Sequence, residues 1–317
     1  MPGTPVIAFD AGGTKLLGGA VDGDLEVSRR VRREWHGGDR DDVIDTMVEA
    51  VEDARADASG ACAVGFGIPS LVDVERGVSV QSVHLPLDDV PFRELMEKRL
   101  ELPVYVDNDA NLALLAEQHG GAARGANHAV MLTLGTGIGG ALLLGGRLYR
   151  GQAGAAAELG HMTVDLDGPP CQGSCPNRGC LEALASGRAM GEVGGRIAEA
   201  EPESALGRAL AQGVPITGEL VTTLALDGDD AARSALAEIG RRLGAGLVSV
   251  VNVFNPEVVV IGGGAARGGD LLLDPARAVV RERALRPSRD ARIVPARFGE
   301  DAGMLGAALF ALEEGGA

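Results

Sequence analysis

Short runs of apolar residues alternate along this chain with longer stretches in which apolar residues recur at helical spacing, a pattern typical of a mixed α/β fold. The apolar runs of the first half predict strands at Val6–Asp10, Leu16–Val21, Val27–Trp35, Cys62–Ile68 and Pro103–Val106. Those of the second half predict strands at Ala129–Leu134, Ala141–Leu144, Val258–Ile261 and 291–296.

The first helical stretch carries its own start signal. Asp39 can cap a helix over Arg40–Ala58, because a carboxylate at that position accepts hydrogen bonds from the free amides of the first turn. Val43, Met47 and Val51 then share one face of this helix. Further helices are predicted at Pro91–Glu101, Asn108–His119, 187–200, 217–226, 229–254, 270–285 and 301–314.

Two segments share one plan of strand, Gly/Thr turn and strand. They are FDAGGTKLLGGAVDGD near the start and TLGTGIGGALLLGGRL in the middle of the chain. A repeated unit at the start of each half predicts two related α/β lobes. We expect a smaller lobe from residues 1–115 and 301–317 and a larger lobe from residues 116–300.

Composition narrows the range of partners. The 317 residues carry a formal net charge of −16, which disfavours binding to nucleic acid and to anionic membrane surfaces, since both attract basic patches. No N-terminal signal pattern is visible, and the longest apolar run, Leu247–Phe254, is far shorter than a bilayer span. We expect a cytoplasmic protein with a small-molecule substrate.

Two glycine-rich turns that contain threonine are candidates for phosphate binding: the first turn (DAGGTK, 10–15) and the second turn (LGTGIGG, 134–140). Glycine lets backbone N–H groups approach an anion, and threonine adds a hydroxyl donor. The candidate donors are Gly12, Gly13, Thr14, Lys15, Gly135, Thr136 and Gly137. Asp10, at a strand end, is suited to hold a magnesium ion through water. Either turn alone is equally typical of a tight hairpin.

The second turn also satisfies the dinucleotide pattern G-x-G-x-x-G through Gly135, Gly137 and Gly140. That pattern requires a helix directly after the turn. The apolar residues that follow predict a strand instead, so we reject a dinucleotide site.

Polar residues crowd the segment Val106–Asn111, where a predicted strand runs into a predicted helix. Two carboxylates and two amides therefore lie at the carboxyl end of a strand, where α/β proteins bind ligands. A carboxylate there can accept the proton of an attacking hydroxyl group, and amides can orient the substrate. Helix capping is the competing interpretation, because Asn and Asp are favoured caps.

Cysteine usage points to a metal site. Three of the four cysteines cluster downstream of the sequence ELGH (158–161): Cys171, Cys175 and Cys180. Together with His161 they supply the four ligands of a closed tetrahedral zinc site. Since all four positions are filled by protein, such a zinc ion is structural, and it would hold the loop that carries His161 and Glu182.

Six motifs appear in one order along nearly the whole chain: DAGGTK at 10–15, NDAN at 108–111, LGTGIGG at 134–140, ELGH at 158–161, GCLE at 179–182 and IGGG at 261–264. In this combination the chain resembles the ROK family (repressors, open reading frames and sugar kinases), and in particular its bacterial glucokinases. The resemblance implies an actin-like and hexokinase-like α/β fold of two lobes, with ATP in the cleft between them.

The resemblance also implies the activity and the roles of individual residues. The activity is phosphorylation of glucose at O6 by ATP with Mg²⁺, and Asp109 is the catalytic base. The implied sugar ligands are Asn108, Glu158, His161 and Glu182. The implied phosphate contacts are Gly12, Thr14, Lys15, Thr136 and Gly137, and the implied adenosine contacts lie near Gly263 and Gly264. His161 is in addition a zinc ligand, and the protein is expected to be a homodimer or homotetramer.

Three departures from the family pattern leave the sugar open. The loop between the first two cysteines is two residues longer, Ser70 stands where glycine is common, and His84 replaces the asparagine of an Asn-Leu-Pro segment. N-acetylmannosamine, N-acetylglucosamine, mannose and fructose are alternative substrates, and polyphosphate is an alternative donor.

Two classes without kinase activity are more distant alternatives. A sugar-responsive repressor would need an N-terminal winged helix, for which the position of Asp10 leaves no room. A non-catalytic sugar sensor would not need the Asp10, Lys15 and Asp109 that this chain carries.

Overall fold

The computed structural model describes residues 5–13, 15–34, 38–56, 58, 60–82, 84–173 and 175–315. The chain divides into two compact units. Unit 1 comprises Met1–Gly125, Leu148–Ala156 and Arg297–Ala317, and unit 2 comprises Ala126–Arg147 and Ala157–Ala296. Helices and strands occur in both units, which confirms the predicted α/β class.

The strands agree in most places with the apolar runs of the sequence. In chain order they are β1 (Val6–Ala11), β2 (Lys15–Val21), β3 (Val27–Glu34), β4 (Val64–Ile68), β5 (Ser70–Asp73), β6 (Val78–Ser82), β7 (Val104–Asn108), β8 (Ala129–Leu134), β9 (Ile138–Leu144), β10 (Arg147–Leu148), β11 (Val258–Gly262) and β12 (Arg292–Pro295). Apolar periodicity missed β5, β6 and β10, because these short strands contain polar residues and no continuous apolar run.

The helices also follow the sequence pattern, apart from the short α4 and α6. In chain order they are α1 (Arg40–Arg55), α2 (Phe92–Leu100), α3 (Asp109–Gly120), α4 (Leu181–Ala185), α5 (Gly187–Ala200), α6 (Ala205–Ala211), α7 (Gly218–Leu226), α8 (Asp230–Phe254), α9 (Asp270–Arg283) and α10 (Ala302–Gly315). Asp39 caps α1 as predicted, by accepting hydrogen bonds from the backbone amides of Asp41 and Asp42. None of the helices within the described ranges is long and apolar enough to cross a membrane.

Each unit is built on a five-stranded sheet, and the two sheets have the same strand order. In unit 1 the order is β3-β2-β1-β4-β7, where β1 is antiparallel to β2 and the strands β1, β4 and β7 are parallel. In unit 2 the order is β10-β9-β8-β11-β12, where β8 is antiparallel to β9 and the strands β8, β11 and β12 are parallel. The sheets therefore repeat one topology, as the duplicated strand–turn–strand plan predicts.

Apolar side chains cover both faces of the unit 1 sheet, because successive residues of a strand point to opposite sides. Ile7 and Phe9 of β1 belong to the core that α1 and α2 complete. Val6 and Ala8 belong to a second core with residues of α3 and α10. In unit 2 the long helix α8 packs against α5, α7 and α9 in one large core. The unit 1 sheet is thus packed on both faces, which fixes the positions of its strand ends.

A buried carboxylate ties the end of α3 to the C-terminal segment. Glu117 is fully buried. Its Oε1 accepts a hydrogen bond from the Phe298 backbone N–H at 2.9 Å, and its Oε2 accepts one from the Ala122 N–H at 2.6 Å. The predicted lobes placed residues 116–125, 148–156 and 297–300 in the larger lobe, whereas the structure groups them with unit 1. The difference arises because α3 runs unbroken to Gly120 and Glu117 anchors its end.

We expect Glu117→Ala to lower the free energy of unfolding by about 3 kcal/mol, because two backbone N–H groups lose a charged acceptor in a buried site. Denaturant unfolding of the whole protein and of the variant measures this change in the free energy of unfolding. Glu49→Ala, at an exposed position of α1, is the control and should cost less than about 0.5 kcal/mol. Equal effects of the two substitutions would contradict the anchoring role of Glu117.

Candidate functional site

Parallel strand ends gather two carboxylates at one edge of the unit 1 sheet. Asp10 of β1 pairs with Gly67 of β4, and Gly67 pairs with Asp107 of β7. A Cβ atom on Gly67 would lie 3.4 Å from Asp10 Oδ1 and 3.5 Å from the Cα atom of Asp109. Asp10 and Asp109 therefore both lie close to Gly67, on strands or strand ends that flank β4.

The carboxylate of Asp10 is in an unfavourable environment for a charge. Its Oδ1 atom is buried and has no hydrogen-bond partner among the described residues. A Cβ atom on Gly303, in the first turn of α10, would lie only 2.4 Å from Asp10 Cγ. Burial, with a smaller contribution from Asp109 and opposed by Lys15, raises the pKa of Asp10 to about 8. An acceptor oxygen without a protein partner, beside a second carboxylate, fits the predicted magnesium site, because a cation compensates both charges.

Asn108 and Asp109 form the junction between β7 and α3. Asn108 Oδ1 accepts hydrogen bonds from the backbone N–H groups of Ala110 at 2.9 Å and Asn111 at 3.2 Å, so Asn108 is the helix cap. Its Nδ2 donates one hydrogen bond to the Ser70 carbonyl oxygen at 3.2 Å. Asp109 Oδ1 accepts a hydrogen bond from the Ala110 N–H at 2.8 Å, which orients its carboxylate. The capping interpretation thus applies to Asn108, whereas Asp109 is the first residue of the helix.

Sequence reasoning missed the ion pair that supports this junction. Asp107 is buried, its Oδ2 accepts a hydrogen bond from Arg150 Nε at 2.8 Å, and the ion pair brings Arg150 Nη2 to 2.6 Å from the same oxygen. Its Oδ1 accepts hydrogen bonds from the Asn108 N–H and from Asn111 Nδ2. The Arg150 guanidinium also lies over the ring of Phe310, 5.5 Å from its centroid. Arg150 lies far from Asp107 along the chain and belongs to none of the sequence motifs, so no local pattern could have predicted its contact with Asp107.

The first turn lies in unit 1. A Cβ atom on Gly13 would lie 3.0 Å from the His84 Cγ atom, so the His84 ring packs against the turn. Lys15 Nζ donates to Glu300 Oε2 at 2.5 Å, which lowers the pKa of Glu300. Gly12 is described as part of the same turn, whereas the predicted phosphate ligand Thr14 lies outside the described residues. A side chain at position 13 would therefore crowd the ring of His84.

The second turn lies in unit 2 and leads directly into strand β9 at Ile138, which confirms that it is not a dinucleotide motif. The Gly135 N–H donates to the Gly137 carbonyl oxygen at 2.9 Å, and the Gly135 carbonyl oxygen accepts from the Gly187 N–H at 2.8 Å. Within the described residues, the N–H groups of Thr136 and Gly137 have no acceptor. Successive free amides of this kind form a concave site for an anion.

The predicted adenosine contacts lie beside the second turn. Gly263 has φ +82°, and a Cβ atom on it would lie 2.5 Å from the Leu134 carbonyl oxygen. Only glycine allows this approach, because it accepts a positive φ and adds no side chain. Gly264 follows it and begins a short 3₁₀ helix, Gly264–Gly268. The structure therefore brings Gly263 and Gly264 to the residues predicted to bind phosphate.

The predicted sugar ligands of unit 2 also meet. His161 Nε2 lies 3.9 Å from Glu158 Oε2. Burial raises the pKa of Glu158, the nearby Glu182 adds to this shift, and His161 opposes it. Glu182 Oε2 accepts a hydrogen bond from the Ile138 N–H at 2.7 Å, and a Cβ atom on Gly137 would lie 2.2 Å from the same oxygen. Two carboxylates and an imidazole therefore line one side of the second turn.

The four predicted metal ligands converge. One ligand atom each of His161, Cys171, Cys175 and Cys180 lies within 4.8 Å of the other three. The separation of Cys171 Sγ and His161 Nδ1 is 3.5 Å, which matches the value of about 3.6 Å expected for tetrahedral ligands at usual zinc bond lengths. Burial, with hydrogen bonds to Cys180 and Cys175, raises the pKa of the Cys171 thiol to about 12. A zinc ion would reverse that shift, because it binds thiolates.

The two ring nitrogens of His161 face different groups. Its Nδ1 faces the cysteine cluster and its Nε2 faces Glu158. A carboxylate on the second ring nitrogen of a metal-binding histidine fixes its tautomer and ring orientation. The donor set, its geometry and this orientation fit the predicted zinc ion.

Comparison with known proteins agrees with these findings. The crystal structure of a ROK family glucokinase from Streptomyces griseus in complex with glucose and AMPPNP has a TM-score of 0.86 to this chain, with 33% identity over 96% of this chain and 98% of that chain. A glucokinase of Streptomyces coelicolor is 35% identical over 316 residues, 97% of each chain. A xylose repressor of Caldicellulosiruptor bescii is 32% identical over 243 residues, 76% of this chain and 60% of the repressor.

The fold is therefore the two-lobed, hexokinase-like α/β fold that ROK sugar kinases share. Residues 6–314 match the ROK family, and the chain belongs to that family. Its similarities support a sugar kinase.

We expect Asp10→Asn to stabilise the protein increasingly as the pH rises from about 4 to about 8, when no divalent cation is present. The raised pKa means that ionised Asp10 costs stability, by up to about 1.4 kcal/mol per pH unit between its unfolded and folded pKa values. Above pH 8 the difference should level off. Chemical unfolding of both proteins across this range tests it, with the exposed Asp227→Asn as control. A pH-independent difference would contradict the assignment.

We expect the purified protein to contain about one zinc ion per chain, because the cluster supplies all four ligands. Elemental analysis of the protein after dialysis measures this content. Cys175→Ser should lose the metal, whereas Cys62→Ser, outside the cluster, should keep it. Loss of metal from both variants, or its absence from the parent protein, would refute the zinc site.

Proposed function

We propose that this protein is a hexose kinase that transfers the γ-phosphoryl group of ATP to O6 of glucose. The observation that supports it most is the pair Asp10 and Asp109, which both lie close to Gly67. The two carboxylates have different surroundings and suit different tasks. Asp10 Oδ1, which is buried and has no hydrogen-bond partner among the described residues, suits a cation, and Asp109, held at the start of α3, suits a proton acceptor.

In this proposal Asp109 accepts the proton of the sugar hydroxyl as its oxygen attacks phosphorus in line. The carboxylate must be held within hydrogen-bonding distance of that hydroxyl, because the rate of proton transfer depends on position. Two features fix it: the hydrogen bond from the Ala110 N–H, and the Asp107–Arg150 ion pair that braces the end of β7. Arg150 and Asp107 therefore serve the reaction by positioning the base.

The two Gly/Thr turns bind the phosphates of ATP through backbone amides. The free N–H groups of Thr136 and Gly137 are the donors for which the described residues provide the clearest support. Lys15 and the residues of the first turn add charge and further amides, and Gly263 and Gly264 border the adenosine. Asp10 would hold a Mg²⁺ ion through water, and the ion would supply positive charge to stabilise the transferring phosphoryl group.

Glu158, His161 and Glu182 hold the hydroxyl groups of the sugar, with Asn108 as a further ligand. Carboxylates accept hydrogen bonds from hydroxyl groups, and the Nε2–H of an imidazole whose Nδ1 binds zinc donates one to a hydroxyl oxygen, so this set favours a substrate with several free hydroxyls. A zinc ion held by His161 and the three cysteines would fix the ring of His161 and would be structural. A homodimer or homotetramer is part of this proposal, and sedimentation measurements test it.

The similarity to a xylose repressor supports a second candidate, a sugar-responsive regulator without kinase activity. An ADP-release assay over a panel of hexoses, with ATP and polyphosphate as donors, separates the candidates. ATP-dependent turnover that is highest with glucose supports the proposal. Preference for N-acetylmannosamine, N-acetylglucosamine, mannose or fructose would change the substrate. Sugar binding without turnover would favour the regulator.

We expect Asp109→Asn to lower kcat about 10³-fold, the size of general-base catalysis, while the Kd for ATP changes little. The amide keeps the shape of the carboxylate but cannot accept the proton. Steady-state kinetics and nucleotide titration measure the two effects, and the exposed Asp24→Asn is the matched control. Turnover of Asp109→Asn near that of the parent protein would rule out Asp109 as the base.

A further inference from the structure

The loop between the first two cysteines contacts the second turn. Gln172, which directly follows the metal ligand Cys171, donates from Nε2 to the Thr136 carbonyl oxygen at 3.4 Å and to Ser186 Oγ at 3.3 Å. Its amide thus connects three parts of unit 2: the cysteine cluster, the second turn and the start of α5.

Two further groups hold the second turn. Ser186 is fully buried and caps α5 by accepting a hydrogen bond from the Ala189 N–H, and the next residue, Gly187, donates to the Gly135 carbonyl oxygen at 2.8 Å. On the other side, Glu182 accepts from the Ile138 N–H at 2.7 Å. Glu182 lies two positions after the metal ligand Cys180 and four before Ser186, so these anchors belong to one short segment.

Because the peptide group is planar, the hydrogen bonds that hold a carbonyl oxygen also fix the direction of the neighbouring N–H group. In a trans peptide the carbonyl oxygen of one residue and the N–H of the next point in opposite directions. Holding the Gly135 carbonyl toward Gly187 therefore aims the Thr136 N–H the other way. Holding the Thr136 carbonyl toward Gln172 does the same for the Gly137 N–H. These are the two amides that have no acceptor within the described part of unit 2.

We propose that Gln172 is a positioning residue. Its hydrogen bond to Thr136 makes the conformation of the second turn depend on the metal-bound cysteine cluster, so that the metal sets the affinity for the nucleotide as well as holding the loop that carries His161 and Glu182. The inference rests on the proposed function, in which the second turn binds the phosphates of ATP. Without the Gln172 contact, the peptide between Thr136 and Gly137 is free to rotate. Its N–H then must be ordered anew each time that a phosphate binds, which costs affinity.

The variant Gln172→Ala tests this role, with Asn177→Ala as matched control. Asn177 lies between the second and third cysteines, is exposed, and its side chain has no hydrogen bond among the described residues. We expect Gln172→Ala to keep about one zinc ion per chain and to raise the Kd for AMPPNP, measured by calorimetry, about fivefold to tenfold, the value of a lost hydrogen bond. The Kd for glucose should change less than about twofold, and Asn177→Ala should match the parent protein.

Metal removal provides the second readout. If the metal acts through Gln172, a chelator should raise the Kd for AMPPNP of the parent protein more than that of Gln172→Ala, since the variant has already lost the connection. In steady-state assays the KM for ATP should rise in Gln172→Ala while the KM for glucose and kcat stay close to the parent values.

The outcomes separate this inference from the proposed function. If the parent protein binds AMPPNP and turns over sugar but Gln172→Ala binds AMPPNP equally well, the inference fails and the proposed function stands. Loss of zinc from Gln172→Ala, or an equal loss of nucleotide and sugar affinity, overturns the inference, because either shows a general structural defect. Absence of AMPPNP binding by the parent protein overturns both.

Discussion

Two carboxylates of like charge, Asp10 at the end of β1 and Asp109 directly after β7, lie close to Gly67 of β4 and are the constraint on which the site in unit 1 depends. Burial raises the pKa of Asp10, and the nearby Asp109 carboxylate adds to this shift. Such a pair persists in a fold only when rigid elements hold it or when a cation compensates it. The parallel strands β1, β4 and β7 provide the rigidity, because cores on both faces of their sheet prevent the strand ends from moving apart.

The repeated sheet topology gives each unit a glycine turn at the same place, but the two turns have different neighbours. Each begins with a strand, a glycine turn and an antiparallel strand, so each presents backbone amides at the same place in its sheet. In unit 1 the turn stands beside acidic groups, and in unit 2 it stands beside a cysteine cluster that anchors it. The neighbours of the first turn thus carry charge, whereas the neighbours of the second turn fix its geometry.

Much of this arrangement could be predicted from the sequence, because its signals are local. Glycine turns, strand ends and ligand spacing appear within a few residues of each other, so Asp10, Asp109 and the metal cluster were found by their surroundings. Arg150, Glu117 and Gln172 were not, because their roles depend on partners that the fold brings from elsewhere in the chain. Asn108 shows the intermediate case: a polar residue at a strand end predicts either a ligand or a cap, and only the hydrogen bonds show that it caps α3.

The return of the C-terminal segment to unit 1 has a consequence for synthesis on the ribosome. Helix α10 packs on β1 and β4, and its Gly303 closes over Asp10. A nascent chain can assemble most of unit 2 from the continuous stretch 157–296 while unit 1 still lacks this helix. The pocket around Asp10 is completed only when α10 has emerged. A nascent chain that lacks α10 therefore has no closed carboxylate site, so cation binding at Asp10 would have to wait until this helix has been synthesised and has packed on unit 1.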